Sequence, residues 1–262
     1  MDHAGFFQAG GTLSADSLSY LERAADRDLI DALAEGRFVF ILDSRQKGKS
    51  SVVGHALSVL QKRGTRIVRV DLQRLGSNLD VEKWYAGILN VIGRDLGVAA
   101  DLFTLWKERL DLGAHARFME VLELGILDRV EEDIVVMIDE IDFVRSLPFE
   151  TDEFFAGIRE CFNRRAAEPK FCRLTFCLVG VASASQLIDN PETTPFNVGD
   201  RIELNDFSRW ELRPYEVPLS THERHGASLL DRVYHWVNGH PYLTQLLCRW
   251  IAEDETYRTS KD

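Results

Sequence analysis

Residues 38–51 read Phe-Val-Phe-Ile-Leu-Asp-Ser-Arg-Gln-Lys-Gly-Lys-Ser-Ser: an apolar run of strand length, a polar turn, then Gly48-Lys49-Ser50 where a helical pattern begins. That succession restricts the fold sharply. A short run that is apolar throughout asks for cover on both faces, as in a parallel sheet. A turn leading straight into a helix presents backbone N–H groups and the positive end of the helix field to an anion. The pattern is that of a phosphate-binding loop, except that the glycine expected five positions before Gly48 is Asp43. A carboxylate there would repel a phosphate unless it points away or pairs with a cation such as Arg45. Asp43 is therefore expected to accept N–H bonds within the turn, as Asp commonly does.

The remaining chain alternates strand and helix signals. Ser14 to Ser17 offers capping oxygens for a helix over Tyr20 to Leu33, which ends at Gly36. A helix is predicted over 50–62, strands over 67–71, 134–138 and 173–179, and a fifth strand over 202–204. Helices are predicted over 79–96, 102–128 with a break at Gly113, and from the cap Thr151 to about Ala167. After about Phe207 the strand signal stops, and two helices over 228–236 and 242–252 flank Asn238-Gly239-His240-Pro241. Strands separated by helices imply an α/β fold, a five-stranded, mainly parallel sheet between helical layers. The expected division is a core over 1–207 that includes the N-terminal helix, then a small helical lid over 208–262 cut from something longer.

In the loop, Gly48 permits close approach of backbone to phosphate, Lys49 would reach the β- and γ-phosphates, and Ser50 would ligate Mg²⁺. Ser44, Arg45, Gln46, Lys47 and Ser51 complete the expected nucleotide contacts. The second half of the pattern is Ile134-Val-Val-Met-Ile-Asp139-Glu140, an apolar strand delivering two carboxylates at its end. This is a Walker B arrangement. Asp139 would hold Mg²⁺ through water, and Glu140 would orient or deprotonate the attacking water. Asp142 either braces this turn or caps a helix. Ser183 is a weak candidate for sensing the γ-phosphate, and Arg201 for reaching a nucleotide on a neighbouring copy in a nucleotide-dependent homo-oligomer. Arg159, Arg164 and Arg165 make a basic helix end that needs no ligand.

Composition narrows the partners. A formal charge of −11 argues against a large sequence-independent hold on nucleic acid, which depends on many Lys and Arg contacts to phosphate. No stretch reaches bilayer-spanning length, and the opening Met-Asp-His-Ala-Gly-Phe-Phe carries no export signal. The cysteines Cys161, Cys172, Cys177 and Cys248 have neither zinc-like spacing nor histidine partners, so free thiols in a reducing cytoplasm are expected.

Together these segments resemble the AAA-like domain family, in the signal-transducing STAND branch of the P-loop NTPases. The resemblance spans nearly the whole chain and rests on Gly10 to Arg23, Asp43 to Ser51, Trp84-Tyr85-Ala-Gly, Ile138 to Asp142, Ser146-Leu-Pro-Phe149, Leu174-Thr-Phe, Thr194-Pro-Phe-Asn197 and Gly239-His-Pro-Tyr-Leu243. It implies a three-layer P-loop NTPase core with ATP and Mg²⁺ as cofactors, and Arg23 and Pro241 near the adenine and ribose. Members typically carry Asn where this chain has Asp43 and an apolar Met where it has Lys47, two changes that would offset each other electrically. They usually join the module to sensor repeats or effector domains. The function so implied is a slowly hydrolysing ATP-driven switch in a larger signalling protein. The alternatives are a module that holds nucleotide structurally without turnover, and an origin-recognition-like ATPase on nucleic acid, which the acidic balance disfavours.

Overall fold

The computed structural model describes residues 5–14, 16–188, 194–220 and 225–253. The chain runs α1 (Ala24–Ala34), β1 (Val39–Leu42), α2 (Lys49–Lys62), β2 (Arg66–Asp71), α3 (Leu72–Leu75), α4 (Val81–Leu96), α5 (Ala99–Glu108), α6 (Ala114–Leu122), β3 (Ile134–Asp139), α7 (Asp152–Arg164), β4 (Leu174–Gly180), α8 (Ala184–Leu187), β5 (Asp200–Arg201), α9 (Glu216–Leu219), α10 (Gly226–Val237) and α11 (Pro241–Glu253). The five strands form one sheet in the order β2-β3-β4-β1-β5. Its four pairings are all parallel. All seven residues of β4 are buried, which is why that segment reads as an unbroken apolar run.

The chain divides into two compact units. One comprises Leu29–Asp43 and Val59–Glu203, and the other Met1–Asp28, Ser44–Ser58 and Leu204–Asp262. The first unit contains the sheet and a core built on Trp84, Phe154, Phe155, Phe171 and the apolar residues of β2, β3 and β4. Trp84 meets Phe154 edge-on at 4.9 Å and Tyr85 at 5.1 Å, an arrangement favoured by the ring quadrupoles. Helix breaks fall where glycine marks them. Gly97, left-handed at φ 81°, closes α4, and Gly113 precedes α6. The basic end of α7 is structural. Arg164 pairs with Glu123 and Glu168 at 2.7 Å, while Arg165 lies over Phe38 and donates to the carbonyls of Gly36 and Phe171.

The second unit has its own core, in which Phe7, Tyr215, Leu219, Leu230, Val233 and Cys248 are buried together. Tyr215 meets Phe7 at 5.2 Å and near right angles. α9, α10 and α11 belong to this unit, as does the loop segment Ser44–Ser58.

Three expectations need correction. The helix expected from Tyr20 begins at Ala24, so Ser14 and Ser17 cap nothing. They close a turn, Ser17 N donating to Ser14 O at 3.0 Å, and the helix start is capped by Asp26, whose carboxylate accepts from Arg23 N at 2.8 Å. The fifth strand pairs at Asp200–Arg201 instead of 202–204, because the turn Pro195–Asn197 packs Phe196 against Phe40 at 5.0 Å and delivers the chain to β1 earlier. Thr151 precedes α7 without a side-chain capping bond, and that helix stops at Arg164. Among the described residues no helix is long and apolar enough to cross a membrane.

Burial pushes the thiols of Cys161, Cys177 and Cys248 up to about 12, whereas Cys172 is exposed. A thiol with a folded pKa above its ordinary 9.0 supports the folded state fully below pH 9 and withdraws that support as pH rises towards 12. The folded protein should therefore offer one fast-reacting thiol per chain to a disulfide reagent at pH 8. Its urea midpoint should fall progressively above about pH 9. Two or more fast thiols under native conditions would contradict this burial.

Candidate functional site

The turn between β1 and α2 is held at its start by the sheet. Asp43 N donates to Gly180 O at 3.2 Å, continuing the β1–β4 ladder by one bond. Left-handed backbone is needed at Gln46 (φ 66°) and Gly48 (φ 83°), and Asp43 does not share it. A residue other than glycine is thus tolerated at 43 because the turn demands no glycine conformation there. α2 opens at Lys49, its first bonds running from Ser51 N and Val52 N to Gly48 O. Lys49 Nζ donates to Ser44 O at 2.6 Å, drawing the loop into a closed ring of backbone. Ser44, Arg45, Gln46 and Ser50 are exposed, while Ser51 is buried and accepts from Leu13 N at 3.0 Å.

Arg23 packs against this loop. Its guanidinium donates to Lys47 O and to Asn205 O, both at 3.1 Å, and lies 5.0 Å from the centre of the Phe207 ring. The residue is 7% exposed, and Nε has no protein hydrogen-bond partner. Burial lowers its pKa, and the carboxylate of Asp26 acts in the opposite direction. Lys47 pairs with Asp206 at 2.7 Å, in the segment before Phe207. Nearby, Tyr20 donates to Asp26, which is 1% exposed and also contacts His55 Nδ1 at 3.1 Å. Burial first, then Asp26, raises the Tyr20 pKa.

A cavity of about 200 Å³ opens beside the loop within the same unit, lined among others by Gly10, Arg23, Gln46, Gly48, Tyr242 and Gln245. Pro241, the first residue of α11, lines it too. Gln245 organises one wall. Its amide donates to Ser19 O at 3.0 Å and Tyr215 Oη at 2.6 Å, while Oε1 accepts from Gln8 N at 3.2 Å. Tyr215 Oη in turn donates to Ser19 O at 2.6 Å. Arg23 and Pro241, which the resemblance puts near adenine and ribose, both line this cavity, and Gln8, Ser19, Tyr215 and Gln245, not singled out in the sequence, line it too.

The paired carboxylates stand at the end of β3, in the unit that carries the sheet. Asp139 is in register with Asp71 of β2, but Asp71 is absorbed as the cap of α3, accepting from Gln73 N and Arg74 N. Asp139 Oδ1 accepts from Glu140 N at 2.9 Å. Glu140 is left-handed at φ 52°, an uncommon state for a residue with a side chain and one concentrated at functional sites. Asp142 settles as a brace, its Oδ1 accepting from Val181 N at 2.8 Å just past β4. Ser183 forms a reciprocal capping box with Gln186 at the head of α8. Arg201 is mostly exposed and lies 3.7 Å from Glu203.

The residues present fit a nucleotide with Mg²⁺. The buried, incompletely bonded Arg23 lines the cavity beside Gly48, where the absence of a Cβ lets guanidinium and loop backbone meet. Among the described residues no group of three or more His, Cys, Asp or Glu could hold a metal ion. Mg²⁺ in such sites needs only one or two protein oxygens beside phosphate and water.

A model of the AAA-like domain family matches residues 8–260. An uncharacterized WD repeat-containing protein of Synechocystis sp. is 40% identical over 250 residues, covering 94% of this chain and 21% of that protein. The chain thus spans about a fifth of that relative's length. Among solved structures, a Walker-type ATPase of Pyrococcus abyssi superposes with a TM-score of 0.59 at 17% identity, over 97% of this chain and 72% of the other. The Aeropyrum pernix ORC1 protein, solved in complex with DNA, gives 0.56 at 14%, over 94% and 63%. Cdc6p from Pyrobaculum aerophilum gives 0.55 at 14%, over 89% and 63%. At these identities the likeness concerns the fold, the three-layer α/β/α P-loop NTPase arrangement around a five-stranded parallel sheet.

A Cβ on Gly48 would lie 2.9 Å from Arg23 Nη2 and would force a side chain into left-handed backbone. Gly48→Ala should therefore lower unfolding free energy by about 1–2 kcal/mol. Urea denaturation provides the measurement, and unchanged stability would count against the close packing of Arg23 on the loop.

Proposed function

The chain belongs to the AAA-like domain family, and from that premise we propose that it binds ATP with Mg²⁺, hydrolyses it slowly, and serves as a regulatory switch within a larger signalling protein. The observation that carries the reading is the loop after β1. Its backbone is closed by Lys49 and turned left-handed at Gln46 and Gly48, and it borders a cavity in the same unit. At about 200 Å³ the cavity is smaller than sites for drug-sized ligands, roughly 300–1,000 Å³, and suits a base and sugar with the phosphates outside. The larger protein is suggested by the WD repeat-containing relative.

On this reading the N–H groups of residues 44–51 and the Lys49 ammonium hold the β- and γ-phosphates. Ser50 and Asp139 would hold Mg²⁺, which when bound neutralises charge on the phosphates. Glu140 accepts a proton from, or aligns, the attacking water. Residues 1–207 then act as the nucleotide core and 208–262 as a lid, with Pro241, Tyr242 and Gln245 presenting the lid's side of the nucleoside cavity. Free, mostly buried thiols fit a cytoplasmic setting.

Lys49→Ala should weaken ATP binding by tenfold or more, since it removes a charge-assisted contact worth about 1.4 kcal/mol or above. Glu140→Gln should keep ATP affinity while lowering phosphate release by about 10²- to 10⁴-fold. Calorimetry and a phosphate-release assay separate the outcomes. Binding without turnover in wild type would favour a nucleotide held structurally, and unchanged affinity in Lys49→Ala would remove the site assignment.

A second reading, an ATPase acting on nucleic acid, is favoured by the likeness to ORC1 solved with DNA. That likeness gives the expectation of no nucleic-acid partner no support, while the net charge of −11 does. Weak, salt-insensitive retention of duplex DNA at low ionic strength is the expected result. A steep fall of affinity with salt would establish phosphate contacts and revive the second reading.

A further inference from the structure

We propose that Asp206 is a positioning residue whose ion pair with Lys47 ties the phosphate loop to the head of α11, so that the two move as one element. For its ligand-linked half this rests on the nucleotide reading above.

Residues 205–207 are gripped at both ends. On the loop side, Lys47 Nζ meets Asp206 Oδ1 at 2.7 Å, with the two side chains 19% and 31% exposed. The Arg23 guanidinium bridges Lys47 O and Asn205 O, so loop and segment share a buried cation as well as the ion pair. On the helix side, Phe207 N donates to Gly239 O at 2.9 Å. A Cβ on Gly239 would lie 1.8 Å from Phe207 O, so the two backbones touch with no room for a side chain. Asn238 and Gly239 are both left-handed and lead directly into Pro241 at the start of α11. Pro241, Tyr242 and Gln245 then line the cavity that Gln46 and Gly48 also line.

The consequence is mechanical. Displacement of the Lys47 backbone pulls on Asn205 and Asp206, and Asp206 is joined directly to Phe207, whose N–H makes the Gly239 contact, so there is little slack. The link is chemically specific, since it joins the Lys47 ammonium to the Asp206 carboxylate. Occupation of the loop by phosphate therefore biases where α11 begins, by differential contacts in the two states.

The test uses the full chain, with Lys47→Met and Asp206→Asn each alone and combined, and far-UV circular dichroism to confirm folding. In the nucleotide-free protein, amide hydrogen exchange should rise in both 44–48 and 238–242 in each single variant, and the double variant should add little. With Mg²⁺ and ATP, wild type should gain protection at 238–242, and the variants should bind ATP on the order of fivefold more weakly and lose that gain even at saturation. Increased exchange at 44–48 alone, additive effects in the double variant, or full protection of 238–242 in ATP-saturated Asp206→Asn would overturn the proposal while leaving ATP binding intact. If wild type binds no ATP, the nucleotide reading fails separately, and the nucleotide-free exchange pattern still decides whether Asp206 couples the two segments. If Asp206→Asn does not fold, Lys47→Met carries the same comparison.

Discussion

β1 is four residues long and hydrogen-bonded on both edges, and the order of the sheet depends on those bonds. Val39 to Leu42 pair with Cys177 to Gly180 on one side, and Val39 and Phe40 with Asp200 and Arg201 on the other. The ladder runs one residue past the strand, through Asp43 N to Gly180 O. Because strands pair in parallel, β1, β3 and β4 all finish at the same edge of the sheet. Asp139, Glu140 and Asp142 gather there, and Gly180 is the packing limit. A Cβ at that glycine would lie 2.6 Å from Ile141 and 2.7 Å from Asp142. In open parallel sheets ligands are met at this carboxyl edge for that topological reason.

The sheet was largely legible in the sequence because buried parallel strands need uninterrupted apolar runs, and 39–42, 134–139 and 174–180 supply them. β5 was misplaced by two residues because its two pairing positions, Asp200 and Arg201, are polar and partly exposed, while the apolar Ile202 and Leu204 beyond them are buried, with Ile202 N donating a last bond to Phe40 O. The start of α1 was read too early for a similar reason. Tyr20 and Leu21 have helical spacing relative to the residues after them, yet they line the cavity, and the capping carboxylate Asp26 lies inside the helix it caps.

The candidate site is legible in the sequence as residue type, at Lys49, Asp139 and Glu140, the residues proposed to act on nucleotide. It was not legible where function depends on which residues meet across the chain. Lys47 was marked as unusual, but nothing in the sequence pointed 159 positions on to Asp206. Gln245 looked like any polar residue on a helix, and its three bonds to Gln8, Ser19 and Tyr215 emerge only when the N-terminal segment and α11 fold into one unit. Long-range polar contacts carry no periodicity, so pattern reading does not reach them.

The left-handed backbone at Glu140 carries a further implication. Holding a glutamate at φ 52° costs about 1–3 kcal/mol relative to a relaxed residue, and glycine or asparagine there would recover part of that energy. On the proposed reading both substitutions also remove the carboxylate that handles the attacking water. Stability and turnover are therefore opposed at this single position, so random drift or a selection for robustness would tend to convert a cycling module into one that holds its nucleotide without release.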